Sequence, residues 1–192
     1  MKPNLPPLYH ISFNKALNTY LYPRQPAGLN NPDNLNKVLS NSVYAENMPP
    51  RISFAPSIED CFRGIWPNIS RYFTKHKYPY IDIYVYGLVQ TYGDSKAIYT
   101  PEYMTENNLL WDAFYTHEYC FLCKVKIKRI AKVRIFNPGK EAVENRPTIY
   151  AFNRKNKENT SRAAPKCKIE VVRTYDHGFP LILPSSDERK KQ

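Results

Sequence analysis

A chain of 192 residues with 42% hydrophobic and 23% charged side chains has the makeup of one globular domain, which excludes a disordered or fibrous segment. Lys and Arg number 28 against 17 Asp and Glu, and the resulting +11 favours polyanionic partners such as nucleic acid, or an anionic cofactor. The opening MKPNLPPLYH has no apolar signal region, and the longest apolar run, IDIYVYGLV, is too short to cross a bilayer, so the sequence reads as cytoplasmic without a membrane contact.

In chain order, LYHIS (8–12) reads as a strand, because aromatic and β-branched residues follow directly on two prolines. Residues 14–20 suggest a short helix or turn. The Asn- and Pro-rich connection that follows is long enough to be a functional loop, with a short helix expected near Leu35–Ser40. RISFA (51–55) is the second strand. Its exit PSIEDCF starts a helix: Ser57 caps, and Asp60 stands three residues on, where a capping box puts a carboxyl group. Gly64 and Pro67 predict the end of that helix, with another turn or two in NISRYFTKH. YIDIYVYGLVQ is the third strand, and the 25 or so residues after it read as loop with one helical turn at most.

HEYCFLCKVKIKRIAKVRIF (117–136) is the longest regular stretch. Its lysines alternate with apolar residues, predicting a half-buried strand with one basic face. On such a strand Cys120 and Cys123 point to opposite faces, which argues against CFLC as half of a zinc site; no second CxxC follows, and Cys61 and Cys167 stand alone. TIYAF and KIEVVRTY supply two more strands around a charged loop. Residues 1–184 are therefore expected to form a single catalytic-type domain of α+β class with a mostly antiparallel sheet, and 185–192 a flexible tail.

GxxxxGK[ST], GxSxG, HExxH and GxGxxG are all missing, and six glycines leave little material for a phosphate-cradling loop. What remains is an ordered trio: His10 on the first strand, Ser53 and Phe54 on the second, and Glu118 opening the long strand after a large loop. A single histidine in an apolar strand is more often a packed core residue, and a single glutamate at a strand end an exposed one. Their order and strand context change that balance. Carried by LYHIS, RISFAPSIEDCF and YTHEYCFLCKV, the chain from Leu8 to Ile135 resembles the ADP-ribosyltransferase superfamily, in its branch with a histidine in the first motif.

That resemblance implies an ADP-ribosyltransferase-like split antiparallel β-sheet with a few short helices, and NAD as cofactor. Glu118 would hold the ribose hydroxyls and stabilise an oxocarbenium-like transition state electrostatically, and His10 would hydrogen-bond the same cofactor from the other side. Ser12 and Phe54 fall within the same two motifs and would line the cofactor; Ser53 or Ser57 would contact a ribose, and Arg51 or Arg24 the pyrophosphate. Phe62 or Tyr72 would stack on nicotinamide, Tyr72 being slightly preferred for its hydroxyl. Arginine-modifying members carry an acid or glutamine two residues before the glutamate; Thr116 stands there instead. With the positive charge, this makes RNA or DNA the expected acceptor, as in toxin or phage-conflict transferases, for which an antitoxin partner would be natural.

Two other readings compete. HIS at 10–12 is half of the H-x-[ST] pair of two-histidine phosphoesterases, and His10 with His117 would act as base and acid of a metal-independent endoribonuclease; His76, His117 and His177 do not complete the second tripeptide. A non-enzymatic nucleic-acid-binding protein would use the basic strand CKVKIKRIAKVRI with its neighbouring tyrosines.

Overall fold

The computed structural model describes residues 5–24, 48–110, 113–137, 169–176 and 178–181. The helix expected at 35–40, the TIYAF strand, Cys167, His177 and the tail at 185–192 lie outside the described residues. The fold is α+β, with mostly antiparallel strands in two sheets and few helices.

The larger sheet runs β1 (Tyr9–Ser12), β4 (Tyr80–Thr91), β7 (Val125–Phe136), with β2 (Tyr20–Leu21) and β8 (Ile169–Thr174) sharing the far edge of β7. The smaller sheet is β3 (Ile52–Phe54), β6 (Tyr119–Phe121) and β5 (Ile98–Tyr99) in that order. One side of the larger sheet is covered by α1 (Ile58–His76), whose Ile58, Phe62, Ile69, Tyr72 and Phe73 recur at helical spacing and pack on Ile81, Ile83, Val85, Val133 and Ile135. Each fully buried side chain of this size contributes roughly 1.5–3 kcal/mol. On the other side Tyr86, Val125 and Ile127 meet Ile52, Phe54 and Phe121 of the smaller sheet.

The helix does not end at Gly64–Pro67 as the sequence suggests; it continues to His76 and closes with Lys77 in the left-handed region at φ 53°. Proline removes one backbone donor, but the apolar stripe runs on past it, and burying Ile69, Tyr72 and Phe73 outweighs the lost bond. Residues 14–19 form turns and bends and no helix, and Tyr20 opens β2. The supposed loop after β4 holds a 3-10 turn (Ser95–Ala97), β5, α2 (Pro101–Glu106) and α3 (Ala113–Thr116). Thr100 caps α2 and Pro101 starts it, a signal present in YTPEY.

The long stretch 117–136 is also two strands in two sheets. The chain turns at 122–124, where the Leu122 N–H donates to the Ala97 carbonyl at 2.8 Å, and Cys120 and Cys123 enter different apolar clusters. Within β7 the register slips by one residue at Ile130, since Val85 faces Ala131 while Tyr86 faces Arg129. A one-residue bulge exchanges the faces of everything after it. Val125 and Ile127 therefore meet the smaller sheet, and Ala131, Val133 and Ile135 meet α1. The lysines and arginines of β7 are divided between both faces, so the single basic face expected from the alternation is not formed.

Candidate functional site

β1 joins the two sheets. One edge pairs with β4, and on the other the Tyr9 N–H donates to the Ala55 carbonyl at 2.8 Å while the Ala55 N–H donates back at 3.0 Å. Alternation along β1 turns Tyr9 and Ile11 into the core under α1, and so turns His10 and Ser12 toward the smaller sheet. The His10 ring rests 5.6 Å from that of Phe54, and Nδ1 lies 2.9 Å from the Ser53 carbonyl oxygen. A carbonyl only accepts, so Nδ1 carries the proton and Nε2 keeps its lone pair. Burial holds the imidazole below the ordinary histidine range; the Ser53 carbonyl opposes this and the charge of Arg24 adds to it. His10 is thus a neutral, oriented acceptor.

Glu118 stands one strand farther on, beyond β3. Ser53 pairs with Cys120 and Phe54 with Tyr119, so continuing the ladder by one residue sets Glu118 across from Ala55, the residue bridged to Tyr9. Three neighbouring strands thereby carry His10, Ser53 and Glu118. The Cys120 thiol donates to Glu118 Oε1 at 3.6 Å, and burial, together with the Glu118 charge, keeps that thiol protonated. Cys61 is likewise pushed far up by burial and by the adjacent acids, so neither thiol is a nucleophile at neutral pH.

The backbone before Glu118 is held from two directions. α3 ends with His117 at φ 49°, and the Glu118 N–H donates to the Ala113 carbonyl at 3.2 Å, the six-to-one bond of a Schellman motif. A non-glycine residue in this region carries strain and needs support. His117 finds it through Nδ1, 3.0 Å from Asp60 Oδ1. Asp60, only 8% exposed, also accepts from Ser57 Oγ at 2.7 Å and pairs with Arg63 at 3.1 Å. The capping box of α1 is thus a hub that fixes the turn carrying Glu118. The S-x-x-D signature was visible in the sequence; its long-range partner His117 was not.

The remaining predicted site residues divide sharply. Arg24 and Arg51 are brought side by side by an antiparallel bridge, the Arg51 N–H donating to the Arg24 carbonyl at 3.0 Å, with Arg24 exposed and Arg51 buried. Ser12 lies two residues from His10 on the same face and its Oγ accepts from the Asn14 N–H at 3.1 Å. Ser57 is committed to capping α1, where its Oγ accepts from the Asp60 N–H. Phe54 is core, backing the His10 ring. The stacking residue is not supplied by either candidate. Phe62 is fully buried against the larger sheet, and Tyr72 lies near the far end of α1, roughly 20 Å of helix beyond Ser57, packed on His76 at 4.4 Å.

Among the described residues no group of His, Cys, Asp and Glu could hold a metal ion, and no helix is long and apolar enough to cross a membrane. Comparison with known proteins finds no matching family model, no similar curated protein and no similar solved structure.

Proposed function

We propose that the chain is an NAD-dependent mono-ADP-ribosyltransferase with the split-sheet architecture of that superfamily, working in the cytoplasm on a nucleic acid as a toxin or phage-conflict effector. What supports the reading is the order of the three motifs and their placement on neighbouring strands, with His10 on β1, Ser53 on β3 and Glu118 at the entrance to β6. A neutral histidine whose Nε2 accepts, and a carboxylate held on a braced turn, suit the two sides of a ribose. One would accept from a hydroxyl. The other would bind hydroxyls and favour the positive charge that develops at the anomeric carbon as the nicotinamide bond breaks. The acceptor then bonds to that carbon and loses its proton, and nicotinamide leaves. The net charge of +11 is the support for a nucleic-acid acceptor.

Incubation of the purified protein with labelled NAD and RNA or DNA tests both parts. Release of nicotinamide with label on the nucleic acid is expected. Label on protein alone would remove the acceptor assignment, and intact NAD would remove the transferase. The His117–Asp60 pair favours one alternative, a metal-independent endoribonuclease in which Asp60 orients His117 and His10 is the second imidazole. RNA cleavage without NAD, unaffected by Glu118→Gln, would identify it.

A further inference from the structure

Arg51 is a buried cation with two orphaned donors. It is 6% exposed, and its Nε and Nη1 have no hydrogen-bond partner among the described residues. Guanidinium groups this deep are normally paired, because desolvating the charge is costly and the neighbouring dipoles must repay it. An apolar side chain of similar length would fill the same space at no such cost. We infer that Arg51 anchors a buried anion site for the phosphate of a small phosphorylated ligand, and that the ligand-free fold stays below its full stability until that phosphate arrives.

The surroundings give the ligand its chemistry. Arg51 and Ser53 share one face of β3, and the Cys120 thiol across from Ser53 feels both the Arg51 and the Glu118 charge. Arg51 and Glu118 nevertheless form no ion pair, so one ligand carrying phosphate and hydroxyls would meet a cation and an anion on either side of Cys120. A guanidinium with two free donors suits a phosphorylated ligand, whose several oxygens all accept. Arg24, bridged beside it and exposed, adds positive potential at the rim. The depth of Arg51 favours a small ligand over the backbone of a nucleic acid. The inference rests on the transferase reading for the identity of that ligand, and selects Arg51 over Arg24 as the residue that grips it.

Thermal unfolding with inorganic pyrophosphate, ADP-ribose or a short single-stranded oligonucleotide tests this without turnover. Pyrophosphate and ADP-ribose should raise the unfolding temperature of the wild type by a few degrees, on the order of 2–4 °C or more at saturation. Arg51→Met should raise it in the absence of ligand and weaken pyrophosphate binding about 10- to 100-fold. Arg51→Lys, which keeps the charge and loses the fork, should retain part of the response and guards against a misfolded Met variant. A destabilised Arg51→Met protein that keeps the wild-type pyrophosphate response would overturn the proposal, as would a response to the oligonucleotide alone. An Arg51-dependent pyrophosphate response with no NAD consumption would leave the anion site standing and remove only the transferase.

Discussion

The two sheets spend their side chains differently. Under α1 the larger sheet is closed: its inward residues are apolar, and the Asp82 carboxylate on its other face is met by Arg134 at 2.7 Å and Lys132 at 2.6 Å. The smaller sheet is short, and one of its faces carries Arg51, Ser53, Cys120 and Glu118 in a row, with Nε and Nη1 of the buried Arg51 left without partners among the described residues. The difference separates an apolar core under α1 from a short sheet whose one face carries ionisable side chains. That contrast is the best physical pointer to chemistry.

Breaking the apolar half should cost stability first. Phe62→Ala, in the core under α1, should lower the unfolding free energy by about 3–5 kcal/mol in denaturant titrations. Below its unfolding temperature it should leave any NAD turnover intact. A variant that unfolds normally yet loses turnover would mean that the division between the halves is wrong.

Breaking the other half should do the reverse. Glu118→Gln should lower nicotinamide release about 100- to 1000-fold, the scale of losing one electrostatic contact to a transition state, while the unfolding midpoint barely moves. Comparable activity in wild type and Glu118→Gln would refute its assigned role.

His10 sharpens the comparison through pH. Its folded pKa lies below the ordinary value of about 6.5, so on acidification the unfolded chain takes up the proton before the folded one. The stability it contributes is complete above about 6.5 and is lost between there and the folded value. ADP-ribose affinity measured calorimetrically should therefore be flat from about pH 8 to 6.5 and fall only below that. His10→Gln should abolish the fall and weaken binding roughly tenfold. A break in the profile above about pH 6.5 would contradict the neutral acceptor.

The smallest effect belongs to the closed sheet's surface. Arg134 above all, and Lys132 with it, hold the Asp82 carboxyl below its ordinary range, so its contribution is present above about pH 3.9 and is lost as pH falls through the lower folded value. Because these side chains are partly exposed, Asp82→Asn should cost no more than about 1 kcal/mol near neutrality, and should flatten the acid limb of the stability curve.

Much of this architecture was legible in the residues, and the misses have physical causes. LYHIS, RISFA, YIDIYVYGLVQ and KIEVVRTY announce their strands through β-branched and aromatic alternation, and Ser57 with Asp60 announces the start of α1. Local breakers misled at Gly64 and Pro67, where tertiary burial prevailed over propensity. Periodicity misled at 117–136, because neither the turn at 122–124 nor the extra residue at Ile130 interrupts the alternation enough to be seen. For the site, the order of His10, Ser53 and Glu118 could be read along the chain. The brace between Asp60 and His117 and the buried, orphaned donors of Arg51 could not, since both depend on contacts between distant segments.

A crystal structure of the protein with ADP-ribose bound tests the central claim most directly. The account predicts ribose hydroxyls within hydrogen-bonding distance of both His10 Nε2 and the Glu118 carboxylate. A ligand seated away from β3, touching neither residue, would contradict it.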